Sequence, residues 1–458
     1  MAKILISSLG TGKLKDDNTS KREYSRTVYR FEDVGKEYKT PFIAAALSEH
    51  LQVDKLYLVG TSKSMWETVY GYFSDESGQP VDETYWFELV EKVEFFKNGN
   101  KKMDEDYLEP VNKAIDGYLR YLRSSASGGS HCYIIDYGLN EAELWNNFDV
   151  IMRIGENLKK DDEIYLDITH AFRSIPFFVY LMLDLIGILK FKNDFKLSGL
   201  YYGMLDVIEE MGHAPVVDLS SLYHITLWTR GAYNFINYGN GYLLADLIKD
   251  TRISENIKNI SDIVNINYID DFKKEIDRLT FLLEDINLSE PVIKYMQPYL
   301  MSFTDRFKGI SSGGQLQFAL AKWYFDNKRF VQGYICLAES IITRILEIYG
   351  KVSWDKGNRE KIKGLIYNKL RFDSRPEYNQ IYEKYEAISE TRNLIAHAGF
   401  IGQKPQKGGK KSSNKIEQKS YKEDIIKANS YLNDVEKLVF KNRALEKLPD
   451  EFSFDLLI

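Results

Sequence analysis

The chain has 458 residues, 44% of them hydrophobic, which is too long for one ordinary core and excludes wholesale disorder. Its 61 Lys and Arg against 67 Asp and Glu leave a formal charge of −6, without the basic surplus of a protein that coats long nucleic acid through its phosphates, so any nucleic-acid chemistry must sit in a local site. Cys132 and Cys336, the only two cysteines, make neither a disulfide framework nor a zinc ribbon, and a reducing cytoplasm is expected.

The first residues enter an apolar strand, Ile4 to Ser7, without the long apolar run and cleavage site of a signal peptide. That strand stops at the tight loop Gly10-Thr11-Gly12, and Val28 to Phe31 reads as a second strand. Thr40-Pro41 marks a helix start, with Thr40 as N-cap and Pro41 in the first helical position. Strand and helix then alternate: Lys55 to Gly60, Tyr133 to Asp136, a helix from Glu141 to Leu158, Glu163 to Asp167, a helix from about Ile175-Pro176, and Leu200 to Gly203. The most apolar segment, Ile175 to Leu189, is interrupted by Asp184 and falls short of the about 20 apolar residues of a membrane span, so it reads as a buried helix and no membrane partner is expected. Alternation of strands apolar on both faces with helices predicts a Rossmann-like α/β domain with a mostly parallel sheet over residues 1–220. From Tyr223 onward the pattern is helical, including Gln315 to Tyr349 and Tyr382 to Ala398, and an all-α domain is expected over 221–458. Residues 402–420 carry six lysines and one Glu among Gly and Ser, a basic flexible loop.

Ligands of doubly wound sheets lie at the carboxyl ends of the strands. The loops expected there, Ser8 to Gly12, Gly60-Thr61-Ser62, Tyr137-Gly138 and Thr169 to Ser174, are rich in Gly, Ser and Thr and include His170 and Arg173, a composition suited to phosphates and hydroxyls. Gly10-Thr11-Gly12-Lys13 is not a P-loop, because Ser7 stands where its first glycine belongs and Leu14 where a magnesium-holding Ser or Thr belongs. Lys15 likewise breaks the dinucleotide fingerprint. From that loop alone, a phosphate cradle and plain turn chemistry stand level. The segment Asp167 to Ser174 says more: it joins a strand to a helix start, where backbone N–H groups attract anions, with Arg173 for a phosphate and Thr169 or Ser174 for a hydroxyl; a capping segment whose His170 packs quietly is the plain alternative.

In the helical half, Arg392 and His397 lie five apart, about 140° around a regular helix, whereas Asn393 and His397 share a face. One helix does not bring Arg392 and His397 together, and a solvated helix face is the plain alternative unless a second copy completes a cleft. The chemistry suits RNA: the 2′-hydroxyl is an internal nucleophile, an imidazole of ordinary pKa (about 6.5) moves protons at neutral pH, and a guanidinium stabilises charge on the phosphate. The six histidines are scattered without metal-ligand spacing, so no metal and no other cofactor is expected. A compact helix-turn-helix with a basic recognition helix is absent, which argues against double-stranded DNA as partner.

With these residues in place the chain resembles the CARF–HEPN ribonucleases of type III CRISPR systems. The CARF likeness rests on Ser8 to Gly12, Tyr29-Arg30-Phe31 leading to Thr40-Pro41, Gly60-Thr61-Ser62 and Asp167-Ile168-Thr169-His170-x-Phe172-Arg173-Ser174; the HEPN likeness rests on Arg392-Asn393-x3-His397, preceded by Cys336 to Ile341. The resemblance implies a homodimer or higher even oligomer. Its CARF domains would bind a cyclic oligoadenylate through Gly10, Thr11, Gly12, Thr61, Ser62, Gly138, Thr169, His170, Arg173 and Ser174. Its HEPN domains would bring Arg392, Asn393 and His397 of each copy to one site that cuts single-stranded RNA without metal, leaving a 2′,3′-cyclic phosphate. Ala171, where relatives often have glycine, bears on ring size; cyclic tetra-adenylate is expected as activator, with cyclic hexa-adenylate as the alternative. Thr169 and His170 suggest slow cleavage of that activator; the loop 402–420 is a plain solvated linker or, as the sharper alternative, helps hold RNA near the cleft. A nucleotide-sensing regulator or scaffold without ribonuclease activity is the competing reading.

Overall fold

Eight extended segments of the N-terminal half join in one sheet: Lys3–Leu9 (β1), Thr27–Phe31 (β2), Lys36–Thr40 (β3), Lys55–Gly60 (β4), His131–Ile134 (β5), Glu163–Asp167 (β6), Lys196–Gly203 (β7) and Ala214–Asp218 (β8). Their order is β3-β2-β8-β7-β6-β1-β4-β5. The run β7-β6-β1-β4-β5 is parallel throughout, as is the β2–β8 pair; β7–β8 and β2–β3 are antiparallel. The computed structural model describes residues 1–12, 26–95, 102–169, 178–181, 184–185, 196–285, 291–397 and 421–457. The chain separates into two units, Met1–His224 and Ile225–Ile458.

Continuous apolar runs make the central strands because both sheet faces are covered. Leu5 and Leu9 of β1, with Leu56 and Leu58 of β4, enter a core with residues of the helices Ile43–Leu51 (α1), Trp66–Glu76 (α2), Glu83–Phe95 (α3) and Glu109–Leu122 (α4). The alternate residues Ile4, Ile6, Tyr57 and Val59 enter the opposite core with Val150, Ile151 and Ile154 of Glu141–Asn157 (α5). The period of two along each strand thus feeds two layers.

Local signals placed some elements and misplaced others. Thr40 is not an N-cap: it ends β3, paired with Thr27, and its hydroxyl donates to Phe42 O at 2.9 Å. The helix starts at Ile43, with Phe42 extended before it, because strand pairing holds Thr40 straight. β3 escaped detection since its burial alternates over a polar edge strand in which only Tyr38 and Thr40 are buried.

The second unit is helical. The helices in and leading into it are Ser220–Tyr238 (α6), Tyr242–Leu247 (α7), Thr251–Ile266 (α8), Ile269–Glu284 (α9), Pro291–Thr304 (α10), Gly313–Asp326 (α11), Phe330–Ile348 (α12), Lys356–Asn368 (α13), Pro376–Ala396 (α14) and Tyr421–Val435 (α15). The expected single stretch from Gln315 to Tyr349 is a hairpin, broken where Lys328 turns left-handed (φ 61°). Gly314 and Gly333 let its arms meet: a Cβ on Gly314 would lie 2.9 Å from Arg344 N, and one on Gly333 2.4 Å from the Phe325 ring. Among the described residues no helix is long and apolar enough to cross a membrane.

Candidate functional site

β1, β4 and β5 end in register at Leu9, Gly60 and Ile134, and Asp167 at the end of β6 lies opposite Ser7. After β1 the chain crosses to β2 and β3 at one edge of the sheet, then adds β4 and β5 on the other side of β1 and returns to the first side as β6, so the crevice between the β1 and β6 loops lies at a switch point of the sheet. Asp167 is fully buried there; Ser7 Oγ donates to it at 2.5 Å and Thr169 N at 2.9 Å. Thr169 Oγ1 in turn accepts from Gly203 N at 2.7 Å. Burial, then the nearby Asp167 charge, push the Tyr29 phenol up. The β6 exit is therefore held rigidly from β1 and β7.

The β1 and β4 loops are tied by Ser64, whose hydroxyl donates to Leu9 O at 2.6 Å and accepts from Thr61 N at 3.0 Å, while Met65 N donates to Gly10 O at 3.1 Å. Gly60 must be glycine, since its Cβ would meet Ser64 and Trp66 at 2.7 Å. After β5, Glu143 accepts from the N–H groups of Gly138 and Leu139, both at 3.0 Å, and Asn140 caps α5 by accepting from Glu143 N at 3.0 Å.

In the second unit Arg392 lies in the last turns of α14, and His397 is its exposed C-cap, with N–H donating to Asn393 O at 2.9 Å. The guanidinium of Arg392 donates from Nη1 to Glu339 Oε1 on α12 at 3.2 Å, and from Nε and Nη2 to Asn393 Oδ1 at 3.3 and 3.0 Å. Glu339 also pairs through Oε2 with Arg359 of α13. Nearby, burial pushes the Tyr385 phenol up, and the charges of Arg392 and Arg359 offset part of that rise. The helix that carries the motif is anchored by Tyr378, Ile381, Tyr385 and Ile388, all buried, which leaves Asn393 and His397 at the surface.

Residues 4–206 match the family described as the CARF domain of the CRISPR system endoribonuclease Csx1. The N-terminal unit is thus similar to a CARF domain. Residues 224–312 match the second domain of CRISPR-associated protein MJ1674. That protein, from Methanocaldococcus jannaschii, is 43% identical over 403 residues, which are 87% of this chain. The chain spans 62% of its length. The Enterococcus italicus Csm6 structure, bound to cyclic hexa-2′-fluoro-hexa-dAMP, aligns over 98% of this chain and 100% of that one, with 12% identity and a TM-score of 0.34, a likeness too distant to transfer a site.

Within the N-terminal unit the expected ligand residues differ in what they offer. Thr11 and Gly12 are exposed, Gly12 in the left-handed region at φ 67°, while Gly10, Gly138 and Thr169 are half-buried. Thr61 and Ser62 are buried with their hydroxyls engaged, Thr61 Oγ1 accepting from Lys63 N at 3.3 Å and Ser62 Oγ from Met103 N at 3.1 Å. His170, Arg173 and Ser174, together with Ala171 and the basic loop 402–420, lie outside the described residues. Sequence reading missed Ser64 and the buried Asp167–Ser7 link, which only strand register brings together. It also missed the part Glu339 and Arg359 play. Among the described residues no group of three or more His, Cys, Asp and Glu side chains gathers as a metal site would.

Proposed function

We propose that this chain is an endoribonuclease switched on by a cyclic oligoadenylate in type III CRISPR defence. The observation that carries the reading is the CARF match over residues 4–206, joined in one chain to a helical unit with Arg392, Asn393 and His397 at one helix end. The activator is cyclic tetra-adenylate, or failing that cyclic hexa-adenylate, taken up by the loops at Gly10 to Gly12, Thr61-Ser62, Gly138 and Thr169, with His170, Arg173 and Ser174. Two helical units of a homodimer contribute Arg392, Asn393 and His397 to one cleft. His397 moves the proton of the 2′-hydroxyl, Arg392 stabilises the charge that grows on the phosphate, and Asn393 orients the imidazole. The product is a 2′,3′-cyclic phosphate and a 5′-hydroxyl. The activator works by its differential affinity for the cleaving arrangement. Slow cleavage of the activator through Thr169 and His170 is a separate proposal; intact ligand after prolonged incubation, followed by mass spectrometry, refutes it.

The test is cleavage of a fluorescent single-stranded RNA in EDTA, with and without cyclic tetra-adenylate, by the wild type and His397→Ala. Cleavage that needs the ligand and vanishes in the variant is the expected result. Cleavage regardless of either ligand discards the switch, and no cleavage with either ring size leaves a nucleotide-binding scaffold.

A further inference from the structure

A guanidinium that stabilises a reacting phosphate works through a fork of two parallel N–H groups, and its value depends on where that fork is aimed. In Arg392 the Nε/Nη2 fork is directed at a single oxygen, Asn393 Oδ1, at 3.3 and 3.0 Å. Asn393 is exposed and neutral, so a phosphate oxygen can take its place at small cost. The opposite corner of the guanidinium is held differently. Nη1 meets Glu339 Oε1 at 3.2 Å, and both side chains are three-quarters covered, each 25% exposed. Glu339 is not free to follow Arg392, because its Oε2 is paired with Arg359. Arg359 is 21% exposed, and its Nη1 donates to Ser353 O at 2.9 Å, in the turn that precedes α13. The result is a relay across three helices, from a backbone carbonyl through Arg359 and Glu339 to Arg392.

We infer that Arg359 and Glu339 are positioning residues that fix Arg392 by its Nη1 corner and leave its Nε/Nη2 edge turned outward for the RNA phosphate, an inference that rests on the ribonuclease reading above. The charge count agrees with the geometry. Within the relay itself two guanidinia share one carboxylate, so Glu339 does not cancel Arg392 alone, while the charges of Asp270 and Glu360 also act on Arg359. Without Arg359, Glu339 would neutralise Arg392; without Glu339, two partly buried guanidinia would repel one another.

The test uses the full chain with its activator and four proteins: wild type, Arg359→Met, Arg359→Lys and the isosteric Glu339→Gln. Steady-state cleavage of single-stranded RNA is measured, together with crystal structures of the wild type and Arg359→Met. Arg359→Met is expected to lower kcat about tenfold or more with KM within about twofold, since a misaimed catalytic group costs that order of rate. Arg359→Lys, which keeps a cation on Glu339, recovers most of the loss, a rescue that a merely structural role would not show. In the crystal the Arg392 guanidinium leaves its place while α12, α13 and α14 superpose. Glu339→Gln lowers kcat in the same sense and serves if Arg359→Met does not fold. Wild-type kcat in both Arg359→Met and Glu339→Gln, or an Arg392 held as in the wild type without Arg359, overturns the inference. If the wild type cuts no RNA, the ribonuclease reading fails, and the crystal structures still decide whether the pair fixes Arg392.

Discussion

Arg392, Asn393 and His397 were legible as a motif because they lie within one helical turn and a half of chain, although that spacing leaves Arg392 and His397 about 140° apart on a regular helix. Glu339 was not, for it meets Arg392 from 53 residues away, through the packing of α12 on α14. At this scale, Arg392→Ala and His397→Ala are each expected to reduce RNA cleavage by about 100-fold or more. His397→Ala should leave the thermal midpoint nearly unchanged, because that side chain is exposed; rate and melting measurements on the same samples check both. The opposite pattern is expected of Ser7→Ala. It removes a 2.5 Å donor from the fully buried Asp167 carboxylate and should cost about 1–3 kcal/mol in denaturant unfolding.

At the scale of elements, helix starts were read well where a side chain caps them and poorly where a neighbouring strand decides. Asn140 before α5 is the first case and Thr40 after β3 the second. The joint between β5 and α5 depends on Glu105, whose carboxylate accepts from Arg153 at 2.9 and 3.0 Å and from Ile134 N at 3.0 Å. Burial pushes this carboxyl up, but hydrogen bonds from His131, Arg153 and the Ile134 N–H outweigh it and hold it at about 2, below its ordinary 4.5. A depressed acid stabilises the fold above its ordinary value and loses that contribution as pH falls through about 2. Arg153→Met should therefore melt below the wild type at pH 7, and the gap should close as pH falls from 4.5 toward about 2, as melting across that range will show. The α11–α12 hairpin offers a packing test. Gly314→Val places branched carbon 2.9 Å from the Arg344 backbone and should destabilise by about 1–3 kcal/mol.

For the whole molecule, sensing and cleavage are proposed to occupy different units of one chain, so a single substitution should part them. Cyclic tetra-adenylate is expected to raise the unfolding temperature of His397→Ala as it does that of the wild type, by the mass-action term of about 2.7 kcal/mol at roughly 100 times Kd, although the variant no longer cuts RNA. A variant that no longer responds to the ligand would place His397 in sensing as well.

The sequence by itself determined the class of each half, the parallel character of the sheet's centre, and the short loops and motif in which candidate residues lie close together along the chain. These follow from periodicity and turn chemistry, which act over a few residues. The tertiary structure alone decided that β3 and β8 complete the sheet, that Ser7 and Ser64 lock the loops of the N-terminal unit, and that Glu339 and Arg359 stand behind Arg392. Each of those depends on strand register or helix packing between distant segments, and no local pattern carries that information.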